Sequence, residues 1–316
     1  MKVLLTGATG FVGGRLALGL RDAANIDLSC AVREPGRAPS WGKEFVVSGL
    51  DSAADWSEAL QDQELVIHAA ARAHVMQEQT DDPLTEYRKV NVEGTLNLAR
   101  QAAEAGVRRF IFLSSIKVNG ESTPPNQPYL ADSEPAPEDA YGISKHEAER
   151  GLQDIGRETG MELVVIRPPL VYGPGVKGNF ASMIKLVERG VPLPFGSVHN
   201  RRSLVALDNL VDLVITCTGH PAAANETFLV SDGRDLSTTE LLRGVGDAMG
   251  KSTRLFPVPP GLLMFAATVL GRKAMAQRLL GSLQVDILKA QELLGWRPPV
   301  SVEEGLRRCF VSEKEH

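Results

Sequence analysis

The chain opens on KVLLTG, a short apolar run. Gly7, Gly10 and Gly13 follow at a spacing of three, and the third lies inside FVGGRLALGLRD, which reads as a helix. An apolar strand that turns through glycines straight into a helix restricts the possible folds more than any other stretch of this sequence. Glycine lets the backbone bend sharply and approach a pyrophosphate with no Cβ in the way. The helix that begins there aims free amides and its positive dipole end at the same point. Glycines at this spacing also occur in turns that bind nothing. The strand before them and the helix after them supply the context that makes them a phosphate-binding turn. Gly7, Gly10, Phe11, Val12 and Gly13 are therefore candidate contacts to a dinucleotide.

The alternation continues. IDLSCAVR, EFVVSG, ELVIHAAA, RRFIFLSS and MELVVIRP read as strands. DSAADWSEALQD, VNVEGTLNLARQAAEAG and AYGISKHEAERGLQDIGRETG read as the helices between them. Strands apolar on both faces, separated by helices, predict a doubly wound parallel α/β sheet. A proline-rich loop over residues 119–139 interrupts the rhythm, and a loop of that length in a compact domain is usually functional. The predicted organisation is a dinucleotide-binding domain over 1–169, with 203–233 returning to it. A smaller substrate lobe is built from 170–202 and 234–316. With 316 residues, 43% of them hydrophobic, there is ample chain for two such cores.

Composition excludes several classes. A net charge of −5 gives no electrostatic reason to expect nucleic-acid binding. The three cysteines, Cys30, Cys217 and Cys309, have neither metal-site spacing nor an even count, which fits a reducing cytoplasm. The apolar start is cut by glycines too early for a secretory signal. GLLMFAATVLG, from Gly261 to Gly271, is well short of the roughly 20 residues that span a bilayer. It is expected to form a helix packed on its own protein, leaving a soluble, cytoplasmic chain with no integral membrane segment.

The end of the second strand separates the two nicotinamide dinucleotides. An acid there would bind the ribose hydroxyls of NAD(H), whereas an arginine would pair with the 2′-phosphate of NADP(H). Arg33 holds that position, so NADP(H) is favoured and NAD(H) remains possible; a solvated loop arginine is the plain alternative. Tyr141 and Lys145 lie four residues apart on a predicted helix and so share a face. An ammonium near a phenol would stabilise the phenolate and bring its pKa toward neutrality. Ser115, at the end of a strand, could donate to the same substrate oxygen. Alone, Tyr-x-x-x-Lys is usually a surface pair; together with the glycine turn and Ser115 it is a candidate catalytic set.

With these motifs in hand, the chain resembles an extended short-chain dehydrogenase/reductase of the nucleotide-sugar epimerase/dehydratase family, nearly end to end. TGATGFVG is similar to that family's glycine motif, HAAA (His68 to Ala71) to the segment under the cofactor, and NVEGT to its central-helix motif. SSIKVNG, YGISK, RPPLVYGPG, RRSLVALDN and LGWRP follow in family order. The resemblance implies a Rossmann-type fold and roles for individual residues. Ser115 rather than Ser114 matches the catalytic hydroxyl, Tyr141 the proton donor or acceptor, and Lys145 its electrostatic partner. Ala69, Ala70, Ala71 and Pro168 would line the cofactor, Arg202 would clamp the sugar-nucleotide diphosphate, and Asn179 is a weaker match for a nucleotide contact. A homodimer through the long sheet-flanking helices is also implied.

Three reactions share this scaffold. The family's dehydratases carry an Asp-Glu pair just after the serine or threonine, where this chain has Ile116 and Lys117. Arg33 bears on the choice, since an NADPH site favours net reduction, and the VNG at Asn119 departs from the V-Y-G of the epimerases; AARAHVM, the SL-x-VD at Ser282 to Asp286 and LGWRP resemble bacterial reductases. The expected reaction is therefore NAD(P)H-dependent reduction of the C4 ketone of a nucleotide-linked 4-keto-6-deoxy-N-acetylhexosamine, for surface polysaccharide. The alternative is an NAD-dependent UDP-hexose or UDP-N-acetylhexosamine 4-epimerase. A non-enzymatic nucleotide sensor would keep the glycine turn without needing Ser115, Tyr141 and Lys145 together.

Overall fold

Each of the strands expected before residue 169 forms, and each lies parallel to its neighbours. The structure, a computed structural model, describes residues 1–72 and 82–311. The main sheet contains β1 (Lys2–Thr6), β2 (Asp27–Val32), β3 (Lys43–Val46), β4 (Leu65–His68), β5 (Arg109–Leu113) and β6 (Glu162–Arg167). A separate parallel pair follows, β7 (Leu170–Tyr172) with β8 (Leu204–Ala206), and β9 (Glu226–Leu229) then closes the main sheet beside β6. The order across the sheet is β3-β2-β1-β4-β5-β6-β9. The chain builds outward from β1 in one direction and then in the other. The crevice beyond the ends of β1 and β4 is thus the point where a parallel sheet of this kind takes its ligand.

The helices are α1 (Phe11–Asp22), α2 (Ser57–Leu60), α3 (Pro83–Tyr87), α4 (Thr95–Glu104), α5 (Ala140–Thr159) and α6 (Gly178–Glu188). They continue as α7 (Leu207–Gly219), α8 (Thr238–Ala248), α9 (Pro260–Val269), α10 (Lys273–Leu280), α11 (Leu288–Leu294) and α12 (Val302–Arg308). Period-two alternation sorts the strand side chains into two cores. Val3, Leu5, Ile67, Ile111 and Ile166 face one way, with side chains from α1, α7 and α11. Leu4, Val66, Phe110, Phe112 and Val165 face the other, with α4 and α5. A third core, around Tyr172, Phe180, Leu241 and Leu306, lies under α6, α8 and α12.

Three segments differ from the sequence expectation. Helix over 51–62 shrinks to α2, because Asp51 and Asp55 accept hydrogen bonds from the amides of Ala53 and Ser57, and such local bonds compete with helix. The helix expected from Val90 has a π-helical stretch over Arg88–Gly94 between α3 and α4, a local widening that often accompanies functional sites. The apolar stretch at Gly261 does form helix α9, but no residue of it is buried. It is apolar on every side, so the packing it makes against α10 leaves the rest of its surface in water. Among the described residues, no helix is long and apolar enough to cross a membrane.

Candidate active site

The glycine turn is built by backbone packed on backbone. Gly7 has φ +79°, and a Cβ there would fall 2.7 Å from the Ala70 nitrogen; a Cβ on Gly13 would fall 2.0 Å from the Gly7 oxygen. Gly10 precedes α1 with no side-chain cap, so the first amides of the helix stay available. Such a cradle, which side chains would fill, fits a dinucleotide diphosphate. Phe11 and Val12 are half-buried in the first turn, and Val12 packs on the core beneath. Ala69, Ala70 and Ala71 run past the turn; the Ala70 amide donates to Thr6 Oγ1 at 3.3 Å. His68, buried between Thr6 and Thr95, is pulled down to about 3 by burial and by the Lys145 charge, so it is neutral and structural. Asn91 holds the next residue: its Oδ1 accepts from the Arg72 amide at 2.8 Å, and its Nδ2 donates to Arg72 O and Ser144 Oγ, each at 3.1 Å. The AARAHVM resemblance runs into residues 73–76, which lie outside the described residues.

Arg33 is exposed, one residue beyond β2. Arg37 pairs with Glu34 at 3.4 Å, and the Glu44 carboxylate accepts from the amides of Gly36, Arg37 and Ala38, which fixes the turn.

Ser115, Tyr141 and Lys145 are delivered by the end of β5 and the start of α5. Asp139 caps α5 through the Gly142 amide at 2.7 Å and also pairs with Lys117, two residues past Ser115. Gly142 is what allows this closure, because a Cβ there would lie 2.8 Å from the Lys117 carbonyl. Ser115 is extended and half-buried, and its Oγ accepts from the Lys117 amide at 3.2 Å. Pro168 is drawn alongside by a 3.0 Å bond from the Ile116 amide to its carbonyl. Ser114 is committed elsewhere. Its hydroxyl donates to Glu149, which takes both ends of the Arg167 guanidinium at 3.0 and 2.5 Å, and Arg167 reaches Asn119 Oδ1 at 3.1 Å. All four residues of this network are buried. The sequence reading missed it.

The electrostatics differ from expectation. Lys145 Nζ donates to the Leu113 carbonyl at 2.8 Å and sits 4.3 Å above the Phe112 ring; burial brings it down to about 7, opposed by Glu149. The Tyr141 phenol is not lowered by it. Desolvation pushes that phenol up, and Asp139 and Tyr87 add to the rise; the Tyr87 ring meets it edge-on at 5.9 Å. The partner expected to stabilise a phenolate points at a carbonyl instead, and burial dominates.

Arg202, one residue before Ser203, donates to the Gly281 carbonyl at 3.0 Å, and burial lowers its pKa. It feels the charges of Glu121 and Arg278. Glu121 holds Lys117 at 2.7 Å and Arg278 at 3.6 Å, so an ionic chain runs from the serine turn to α10. The Ser282 to Asp286 segment is structural: it is bonded to Arg201 and Ser203 on one side and to Thr123 and Tyr129 of the proline-rich loop on the other. Asn179 is exposed in the first turn of α6, with no contact that joins it to the cluster among those described.

Residues 3–231 match the model of the NAD dependent epimerase/dehydratase family. The chain belongs to that family. Over 308 residues it is 48% identical to a UDP-glucose 4-epimerase of Vibrio cholerae, covering 97% of this chain and 94% of that one. The solved UDP-glucose 4-epimerase of Thermotoga maritima with UDP-glucose superposes with a TM-score of 0.76 at 25% identity, covering 98% of this chain and 97% of that one. The UDP-glucose 4-epimerase of Thermus thermophilus, solved in complex with NAD, shares the fold, with a TM-score of 0.77 at 24% identity over 98% and 97% of the two chains. These likenesses overturn the expected 4-keto-6-deoxyhexosamine reductase, whose physical support was Arg33 as a 2′-phosphate ligand. A preference for NADP(H) finds no support among them.

Proposed function

We propose that this family member interconverts the C4 epimers of a UDP-hexose or UDP-N-acetylhexosamine, with NAD as its resident dinucleotide. The observation that carries this reading is near end-to-end 48% identity to a UDP-glucose 4-epimerase in a chain that keeps Ser115, Tyr141 and Lys145. Arg33 is read as a solvated loop residue, and comparing the dissociation constants of NADH and NADPH tests that.

When bound, the nicotinamide supplies reversible hydride exchange with sugar C4. The chain's own residues supply placement and a proton. As phenolate, Tyr141 Oη takes the C4 hydroxyl proton and, as phenol, returns it, while Ser115 Oγ holds the same oxygen. A desolvated phenol keeps its proton tightly, so forming the phenolate needs a positive charge brought close to Tyr141, and Lys145 in its protonated form is the buried group one helical turn away that supplies it. Arg202 anchors the diphosphate, so binding energy far from C4 positions the hexose while its ring presents either face. The smaller lobe, 170–202 with 234–316, holds the sugar nucleotide in this reading. A homodimer through α4 and α5 is part of it, with light scattering as the check.

The test is to incubate the full chain separately with UDP-glucose and UDP-galactose, and with the N-acetylated pair. The expected result is one equilibrium mixture reached from both sides, with no net change in nicotinamide absorbance. Stoichiometric one-way oxidation of added NADH or NADPH without interconversion would overturn it.

A further inference from the structure

Helices α9 and α10 form a hairpin that carries the densest run of exposed large apolar side chains among the described residues. Leu262, Phe265 and Val269, spaced three and four residues apart, share one face of α9 and are 58%, 67% and 70% exposed; Leu270 follows at 73%. A single exposed leucine needs no explanation, but a contiguous apolar face of this kind marks a contact surface. The charge pattern names the partner's sign. Between Asp247 and Asp286 the sequence has five basic residues (Lys251, Arg254, Arg272, Lys273 and Arg278) and no acidic one, in a chain with a net charge of −5. Arg272 and Lys273 stand exposed at the bend, directly after the apolar face.

We propose that this hairpin docks the protein on an anionic phospholipid bilayer. Leu262, Phe265, Val269 and Leu270 enter the boundary of the acyl region, and Arg272 and Lys273 meet lipid phosphates. An apolar helix face beside basic residues, too short to span, is the pattern of a helix lying in the interface plane. A second copy of this chain fits less well, because a two-fold contact would set each cationic bend against its own image without an acidic group from the hairpin to offset it. The bilayer supplies apolar depth and negative charge together. The hairpin is tied to the lobe at its far end, where Asn200 donates to the carbonyls of Leu279 and Gly281. Docking would therefore hold the Arg202 side of the protein near the lipid surface.

The experiment is flotation of the full-length protein with vesicles of phosphatidylcholine alone or mixed with equal phosphatidylglycerol. The protein is expected to float with the mixed vesicles and at least about tenfold less with phosphatidylcholine or at high salt. The double variants Phe265→Glu with Val269→Glu, and Arg272→Glu with Lys273→Glu, should each cut partition by at least about tenfold, with melting temperature and sugar interconversion unchanged. Failure of the wild type to float with mixed vesicles would overturn the proposal, as would binding that survives both double variants. So would a fall in solution mass in the Phe265→Glu, Val269→Glu protein, which would assign the face to a second copy.

Discussion

The glycine turn and the serine–tyrosine cluster lie at the carboxyl end of the same sheet, beyond β1 and β5, and are held by opposite means. The turn is shaped by missing side chains: Gly7, Gly13 and Ala70 touch backbone to backbone. The cluster is shaped by side chains in excess, with Asp139, Lys117 and Glu121 on one side and Ser114, Glu149, Arg167 and Asn119 beneath. A binding site made of amides can be specified by a few neighbouring residues. A reacting site must fix hydroxyls and an ammonium in space, and needs buried partners from distant parts of the chain to do it.

This contrast can be broken at several points. Tyr141→Phe removes the hydroxyl proposed as proton carrier and leaves the turn alone; turnover should fall by about a thousandfold while NAD affinity stays within about twofold. Parallel loss of NAD binding would mean that the two regions are one unit. Glu149→Gln leaves the Arg167 guanidinium buried without its charge partner and should cost about 3 kcal/mol in urea unfolding. The paired change Glu149→Leu with Arg167→Met should recover much of that loss. In the turn, Gly13→Ala forces backbone apart and should cost about 2 kcal/mol, read as weaker dinucleotide binding by fluorescence titration, with the network intact.

The last prediction concerns pH. Burial holds folded Lys145 at about 7, against 10.5 for an ordinary lysine. Between those values the unfolded chain carries a proton that the folded chain has released, so stability rises with pH over that window, by up to about 1.4 kcal/mol per unit. Below it both states are protonated and the full penalty stands. Lys145→Met should flatten the rise in urea midpoints between about pH 7 and 10. An unchanged slope would assign the proton to another group.

The same contrast explains what could be read in advance. The turn and α1 were legible because their cause is local: strand, glycines and helix fall within the first 22 residues. The Tyr141–Lys145 pair was legible as a spacing, but its electrostatics were not. Asp139 is a near neighbour in sequence, yet Tyr87 and the Leu113 carbonyl arrive only through the fold. The buried network depends on β5 lying beside β6 in a register that pairs Leu113 with Ile166. A signal was available in Arg167, a charge directly after the apolar run 163–166, because such a group must find a partner when buried. At α9 the sequence indicated a helix packed on its own protein, and α9 does pack on α10; how much of its apolar surface stays exposed was not legible, because a short apolar run looks the same whether or not the fold covers it.

The four residues under Ser115 cannot be exchanged one by one, since any single loss strands a buried charge or hydroxyl. A change at Asn119 alone would leave the Arg167 Nη1 without the side-chain acceptor it now has. Anyone grafting Ser115, Tyr141 and Lys145 onto another parallel scaffold would need to transplant that foundation with them.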